Sequence, residues 1–226
     1  FKNYLKNMGE DYFKNTESKT NEFLSKIFLT PGYRRVNFDI KDTALLVIDM
    51  QNYFTDESSH AYIPATKYII KPVRNLISFF KENKRDIVFT RHINTIDNAN
   101  MLSKWWSDII TEGYMSEITK ELETKEARVI AKSQYDAFYQ TKLEDFLISR
   151  GIKKLVITGV ATHLCCETTA RSAFVRGFEV FFPVDCTATY DESFHLASLR
   201  NLSHGFAHIV KSSDILKQDI GNEKDI

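Results

Sequence analysis

The residue whose type and position point most directly to chemistry is Cys165. It follows an apolar run at residues 154–158 and a short stretch of small residues, and a segment with helical spacing begins beside it. Parallel sheets present nucleophiles in this way, where the carboxyl end of a strand turns into the next helix. The pattern predicts a thiol nucleophile, although an isolated cysteine at a helix start is more often a small packing residue.

Two further reactive side chains stand at the ends of predicted strands. Asp49 ends the apolar run at residues 43–49, and Lys132 directly follows the run at residues 127–131. Because the carboxyl ends of parallel strands meet at one edge of a sheet, we expect a carboxylate, an ammonium and a thiol to share one crevice. Taken singly, Lys132 is equally well explained as a surface lysine and Asp49 as a cap for the following loop.

The elements that must position these residues follow from an alternation of two patterns. Apolar runs predict strands at residues 43–49, 86–90, 127–131, 154–158, 179–184 and 207–210. Helical spacing covers residues 65–81, 101–110, 142–150 and 192–203 and the segment after Cys165. Six strands that alternate with helices predict an α/β fold, a three-layer αβα sandwich around a six-stranded, mainly parallel, Rossmann-like sheet.

The first 40 residues have a different pattern. Apolar residues recur there at loosely helical spacing, namely Leu5, Met8, Tyr12, Phe23, Leu24, Ile27 and Phe28. Pro31 and Gly32 then break the pattern. We predict a helical arm over residues 1–40, packed on the core or on a partner subunit, and one α/β domain over residues 41–226. A disordered tail is the alternative for the arm.

Composition excludes several classes of partner. The 226 residues include 30 basic and 30 acidic side chains, and the lysines form no stripe that would bind nucleic acid or an anionic membrane. No run of about 18 apolar residues predicts a membrane span, and the first ten residues lack the apolar middle of a signal peptide. Three cysteines, two of them adjacent, suggest neither a disulfide framework nor a zinc site. We expect a cytoplasmic protein with reduced thiols that acts on a small molecule.

Three motifs resemble those of a known family. They are VIDMQ at residues 47–51, K-x-x-Y-x-A-F at residues 132–138, and G-V-x-x-x-x-C at residues 159–165, which is followed by T-A-R-x-A-F at residues 169–174. In this order, each at a strand end, they resemble the isochorismatase-like cysteine hydrolase superfamily over about residues 40–217.

The resemblance implies roles for particular residues. Cys165 would be the nucleophile, Asp49 the proton acceptor and donor, and Lys132 their electrostatic partner. The resemblance also implies a cis peptide bond between Val160 and Ala161, and an oxyanion hole made of the backbone N–H groups of Ala161 and Cys165. A helix N-terminus and an ammonium both favour a thiolate, so we expect an activated sulfur.

The superfamily includes two chemistries. One branch hydrolyses amide or related C–N bonds through a cysteine thioester. The other cleaves the vinyl ether of isochorismate without a cysteine nucleophile, with the aspartate as general acid. Residues 101–106 and 191–199 and the N-terminal arm resemble segments of the second branch.

The sequence differs from the vinyl ether branch at the positions that determine the chemistry of that branch. That branch has glycine at the position of Cys165, glutamine at His92, tyrosine at Ala161 and an arginine near Ala99. Without the arginine, a dicarboxylate loses its bidentate partner. We favour the thiol hydrolase; a vinyl ether hydrolase that uses Asp49 as general acid and a non-catalytic ligand-binding relative are the alternatives.

Nicotinamidase members of the superfamily bind a metal through an Asp-x-His segment after the second strand. Here that segment reads Arg91-His-Ile-Asn94, which offers one imidazole and no neighbouring carboxylate. We therefore predict no metal and no cofactor, and nicotinamide becomes a doubtful substrate.

Several side chains are candidates for contact with a small planar amide. They are Phe54, His92, Trp105, Trp106, Tyr135 and His163. The tryptophan pair equally suits a subunit contact, Tyr135 a place in the core, and His163 a hydrogen bond within its turn. The resemblance also implies a homo-oligomer, a dimer or tetramer, with the arm as a clasp.

The remaining cysteines and two helical histidines are assigned structural positions. Helical spacing places Cys166 on the sheet side of its helix, about 100° from Cys165. Cys186 is predicted to be structural, and His195 and His204 to be structural or surface groups.

Overall fold

The computed structural model describes residues 12–29, 38–106 and 108–217. The strands in these ranges are β1 (Thr43–Ile48), β2 (Ile87–His92), β3 (Arg128–Lys132), β4 (Lys154–Val160), β5 (Glu179–Pro183), β6 (Thr187–Ala188) and β7 (His208–Val210). The α-helices are α1 (Thr16–Phe28), α2 (Asn52–Thr55), α3 (Thr66–Glu82), α4 (Leu102–Trp105), α5 (Leu143–Ser149), α6 (Glu167–Val175), α7 (Glu192–Gly205) and α8 (Ser212–Lys217).

The strands form one parallel sheet in the order β3-β2-β1-β4-β5-β7, with β6 paired to β4. The chain moves outward from β1 to β3 and then returns to the other side at β4. With right-handed crossovers, this reversal puts helices on both faces and opens a crevice at the carboxyl ends of β1 and β4. The predicted α/β class is confirmed.

All six predicted strands are present, and two details of the prediction are wrong. The sheet has an additional strand, β6, whose two residues are too short to produce a periodic pattern. The helix predicted over residues 101–110 ends at Trp105. Beyond it the chain extends, because the N–H of Asn94 donates to the carbonyl of Ile110 (2.6 Å) and ties this segment to the end of β2.

The centre of the sheet is a continuous apolar layer. Every residue of β1 is buried, which is the pattern of a parallel strand covered on both faces. β3 lies at one end of the sheet, and three of its five residues, Arg128, Val129 and Ala131, are exposed.

Gly159 allows β4 to approach β1 closely. A Cβ atom at this position would lie 2.0 Å from the carbonyl oxygen of Ile48, and the backbone has a φ of +107°. No L side chain fits there without moving one of the two strands. The glycine therefore brings the chain after β4 next to the chain after β1.

The described part of the arm is helical and packed. In α1, Phe23, Leu24 and Ile27 are buried, and Lys19 forms an ion pair with Glu192 on α7 (3.2 Å). Residues 16–28 are therefore not a disordered tail. Residues 1–11 and 30–37, which include Leu5, Met8 and the Pro31-Gly32 break, lie outside the described residues.

No helix in the described ranges combines the length and the apolar character needed to span a membrane.

Candidate active site

Two loops and the end of one strand bring the reactive side chains together at the carboxyl edge of the sheet. Asp49 follows β1, Lys132 ends β3, and Cys165 lies in the turn after β4. The Lys132 Nζ atom is 2.7 Å from Asp49 Oδ2 and 3.4 Å from Cys165 Sγ. All three residues are buried. The predicted meeting of a carboxylate, an ammonium and a thiol is present in the structure.

Thr90 fixes the carboxylate of Asp49. Its hydroxyl donates to Asp49 Oδ1 (2.6 Å) and accepts from the backbone N–H of Asp49 (3.0 Å). Asp49 has a φ of +47°, and these two hydrogen bonds support that left-handed backbone. Sequence reasoning missed Thr90; its only signal is its place on β2, two residues before the predicted site residue His92.

Gln51 of the VIDMQ motif was also missed as a positioning residue. Its side-chain amide accepts from the backbone N–H of His92 (2.7 Å) and donates to the carbonyl groups of His92 (3.0 Å) and Ser116 (2.8 Å). Because Gln51 is fully buried, these bonds lock the end of β2 to the loop after β1.

The ammonium of Lys132 is surrounded by acceptors. Besides Asp49 and the thiol, it lies 2.8 Å from the carbonyl oxygen of Gln134 and 3.3 Å from His92 Nδ1. Burial lowers the pKa of Lys132, but attraction to Asp49 and the sulfur outweighs it, so the pKa lies above 10.5. Burial raises the pKa of Asp49, but Lys132, His92 and the thiol of Cys165 together outweigh it, so that pKa lies below 3.8. The pair is ionised near neutral pH.

The thiol does not behave as the sequence suggested. Burial raises the pKa of Cys165 far above its usual 9.0, and the opposing effect of Lys132 is smaller. The expectation of a stabilised thiolate is wrong for the resting protein. The physical reason is desolvation, which the neighbouring carboxylate of Asp49 reinforces. In the resting protein, the thiol of Cys165 therefore stays protonated until a base removes its proton.

The segment Thr162–Cys166, here called the nucleophile turn, is a π-helical turn that leads into α6. The peptide bond between Val160 and Ala161 is cis. The N–H groups of Leu164 and Cys166 donate to the carbonyl of Ala161 (3.0 and 3.2 Å). The adjacent sulfur of Cys166 faces back toward the carbonyl of Thr158 (3.9 Å). Cys165 and Ala161 both border the cavity described next.

A cavity of about 90 Å³ adjoins the thiol. Four of the six predicted substrate contacts line it, namely Phe54, His92, Trp106 and Tyr135. The indole N–H of Trp106 donates to the hydroxyl of Tyr135 (2.6 Å). Further lining residues that sequence reasoning missed are Tyr53, His60, Ala61, Asn94, Leu102, Asp108, Ile109, Ile110, Leu164 and Tyr190. A small planar molecule fits this mostly apolar, aromatic wall.

The other two predicted contacts lie elsewhere. Trp105 is 75% exposed, because adjacent residues of a helical turn point about 100° apart and Trp106 takes the inward position. His163 does not line the cavity: its Nδ1 is 2.7 Å from Thr189 Oγ1, and its ring stacks on Phe194 (centroids 4.5 Å apart).

The donor set does not fit a metal ion. Asp49, His92 and Cys165 place their ligand atoms within 4.8 Å of one another. The ammonium of Lys132 contacts all three of these groups and occupies the position of a cation among them. In the Arg91-His-Ile-Asn94 segment, Asn94 Oδ1 is bonded to His92 Nε2 (2.9 Å), so that imidazole nitrogen is also engaged.

Fold and site together define a class, an α/β protein with a thiol, carboxylate and ammonium at the carboxyl edge of a parallel sheet. A family model described as the Isochorismatase domain matches residues 43–214. The chain belongs to this family of hydrolases, and the predicted superfamily is confirmed.

The chain is similar to several known proteins. Nicotinamidase 3 of Arabidopsis thaliana is 39% identical over 188 residues, which cover 80% of this chain and 91% of the relative. Enterobactin synthase component B of Escherichia coli (strain K12) is 27% identical over 191 residues, covering 83% and 67%. A cysteine hydrolase structure from Pseudomonas syringae pv. phaseolicola 1448A superposes with a TM-score of 0.76 and 20% identity over 84% of this chain and 97% of that one.

Proposed function

We propose that this protein hydrolyses the C–N bond of a small planar carboxamide through a thioester on Cys165. The observation that carries the proposal is the contact of one ammonium with both the carboxylate of Asp49 and the sulfur of Cys165, beside an aromatic cavity. Thiol, base and electrostatic partner are the groups that nucleophilic acyl transfer requires.

In the first half of the reaction, the sulfur attacks the amide carbon while Asp49 takes the thiol proton. The backbone N–H groups of Ala161 and Cys165 donate to the oxyanion that forms. The protonated Asp49 then gives its proton to the leaving nitrogen, the C–N bond breaks, and ammonia departs. The acyl group remains on sulfur.

In the second half, water attacks the thioester and gives a proton to Asp49. The tetrahedral intermediate collapses, the C–S bond breaks, and the sulfur recovers the proton from Asp49 as the carboxylic acid leaves. The pKa directions support this order. Asp49 is ionised and available as a base, while the thiol of Cys165 stays protonated until a substrate is in place.

Nicotinamide is the first substrate to test. The 39% identity to a protein named nicotinamidase supports it, as do the aromatic rings of Phe54, Trp106 and Tyr135 on the cavity wall. The sequence argument against nicotinamide rested on the missing Asp-x-His segment. We propose that the reaction proceeds here without a metal, because Lys132 occupies the centre of the candidate ligand set.

The cavity wall argues against a dicarboxylate. Among the described residues that line the cavity, Asp108 is an acid and none is a lysine or arginine. Isochorismate would bring two carboxylates to a wall without a bidentate partner. The vinyl ether alternative, with Asp49 as general acid, is therefore the weaker candidate.

The test is ammonia release from nicotinamide, pyrazinamide and benzamide, with isochorismate assayed in parallel. Cys165→Ala is expected to abolish amide hydrolysis. Cys186→Ala, which removes a buried thiol outside the site, is the matched control and is expected to retain it. Isochorismate cleavage that survives Cys165→Ala would favour the vinyl ether reaction. Binding of nicotinamide without turnover in the wild type would favour a ligand-binding relative.

We also propose a homo-oligomer, a dimer or tetramer, in the cytoplasm. Three large apolar side chains, Ile96, Met101 and Trp105, are exposed in the segment that also supplies the cavity residues Asn94, Leu102 and Trp106. An exposed apolar patch of this kind is typical of a protein interface. Light scattering measures the oligomeric state of the purified chain and of the variant Trp105→Ser. A wild-type monomer at all concentrations would contradict the proposal.

A further inference from the structure

We propose that His195 is a positioning residue that holds the nucleophile turn in its reactive geometry, and that the N-terminal arm encloses it for this purpose. The inference rests on the proposed function, since the turn carries Cys165 and follows Ala161. His195 itself does not line the cavity, so it acts through another residue.

The first link is a hydrogen bond between His195 Nδ1 and the hydroxyl of Thr162 (3.0 Å). Both residues are fully buried. Thr162 is the first residue of the nucleophile turn and directly follows Ala161. The bond therefore fixes the turn at the point where the backbone leaves β4 and the proposed oxyanion donors begin.

The imidazole is held by three aromatic rings from the arm. The ring centroids of Tyr12, Phe13 and Phe23 lie 5.6, 5.2 and 5.1 Å from that of His195. Such distances are those of favourable aromatic contacts. The cage fixes the plane of the imidazole and thus the direction of its bond to Thr162.

A second link joins the arm to the next residue of the turn. The hydroxyl of Tyr12 accepts from the backbone N–H of Thr189 (3.1 Å), and Thr189 Oγ1 is bonded to Nδ1 of His163 (2.7 Å). Thr162 and His163 are consecutive, so the arm supports two adjacent residues of the turn. Two such links resist rotation of the turn better than one.

A purely structural role does not account for an imidazole here. A leucine or phenylalanine would fill the space among the aromatic rings without desolvating a polar group. A buried imidazole is stabilised only by its hydrogen bonds. Among the described residues, its Nδ1 is bonded to the hydroxyl of Thr162, and the backbone carbonyl of Val184 is a second polar neighbour of the ring. Of these two contacts, the bond to Thr162 links His195 directly to the nucleophile turn.

Thr162→Val and Thr162→Ser test the bond with little change in volume. Loss of the hydroxyl in Thr162→Val is expected to lower kcat at least about tenfold, because small misplacements of reacting groups cost this much or more. KM should stay within about twofold, because the cavity wall is unchanged. Thr162→Ser keeps the hydroxyl and is expected to restore most of the kcat.

Two variants of His195 test the other partner of this hydrogen bond. His195→Asn keeps a polar atom near the Nδ1 position, and His195→Leu does not. His195→Leu is expected to match Thr162→Val, and the double variant to lose no more than either single change. Ser198→Ala, on the same helix and equally buried, is the control and should leave kcat unchanged. Melting temperatures of the variants show whether a lower kcat comes from unfolding of the protein or from misplacement of the nucleophile turn.

The rate at which iodoacetamide alkylates Cys165, mapped by mass spectrometry, gives a readout that does not need a substrate. A changed alkylation rate in folded Thr162→Val, restored in Thr162→Ser, supports the inference even if no amide is hydrolysed by the wild type. If folded Thr162→Val and His195→Leu keep both the kcat and the alkylation rate of the wild type, His195 is only a core residue and the inference is overturned.

Discussion

At Cys165, burial and the ammonium of Lys132 act in opposite directions on the thiol, and burial dominates. We therefore expect the rate of alkylation of Cys165 by iodoacetamide to rise continuously from pH 6 to about pH 10, because the thiolate is the reactive species. Peptide mapping after short exposures measures this rate. A plateau already reached at pH 7 would show that the thiolate forms without substrate.

The ion pair between Asp49 and Lys132 gives a second prediction at this scale. Lys132→Met leaves a buried carboxylate without its partner, so we expect the free energy of unfolding to fall by about 3–5 kcal/mol. Adding Asp49→Asn removes the uncompensated charge and should recover most of the loss, while activity stays absent. Urea titrations of the three proteins measure the effect. An unchanged stability in Lys132→Met would contradict a buried ionised pair.

At the scale of elements, the sequence predicted the strands well, because each strand is recognised from a continuous local pattern of apolar residues. The strands around Asp49 and Cys165 are continuous apolar runs, and their order along the chain determines which strand ends meet. The prediction of a thiolate was wrong because desolvation depends on residues that are distant in sequence. Trp105 could not be distinguished from Trp106, since the helix that orients them is only four residues long.

Gly159 gives a prediction about the contact between two strands. Gly159→Ala would place a Cβ atom 2.0 Å from the carbonyl of Ile48, so we expect a loss of at least about 3 kcal/mol in the free energy of unfolding. Gly205→Ala is the control, because a Cβ there meets nothing within 4 Å. Thermal and urea unfolding of both variants test the contact. Equal stability of the two would show that β4 can shift without cost.

For the whole molecule, two buried histidines make stability depend on pH. Burial lowers the pKa of His92 to about 4 and that of His195 to about 3, against 6.5 in an unfolded chain. The unfolded state binds more protons below pH 6.5, so the free energy of unfolding falls as the pH falls. From pH 7.5 to pH 5 we expect each histidine to contribute a loss of about 2 kcal/mol.

Urea titrations at these two pH values measure the loss, and the variant His195→Asn should show a smaller one. A free energy of unfolding that stays constant over this range would mean that neither imidazole is buried in its neutral form.

The terminal position of β3 has a consequence for how the protein inactivates. Among Asp49, Lys132 and Cys165, only Lys132 is carried by a strand at the border of the described sheet. That strand, β3, has exposed residues along its length. Border strands detach at a lower free energy than central ones. At low denaturant concentrations, β3 should therefore detach and move the ammonium of Lys132 out of the site. Activity should be lost while the core of the sheet is still folded. Amide hydrogen exchange of residues 128–132 would then precede that of residues 43–48.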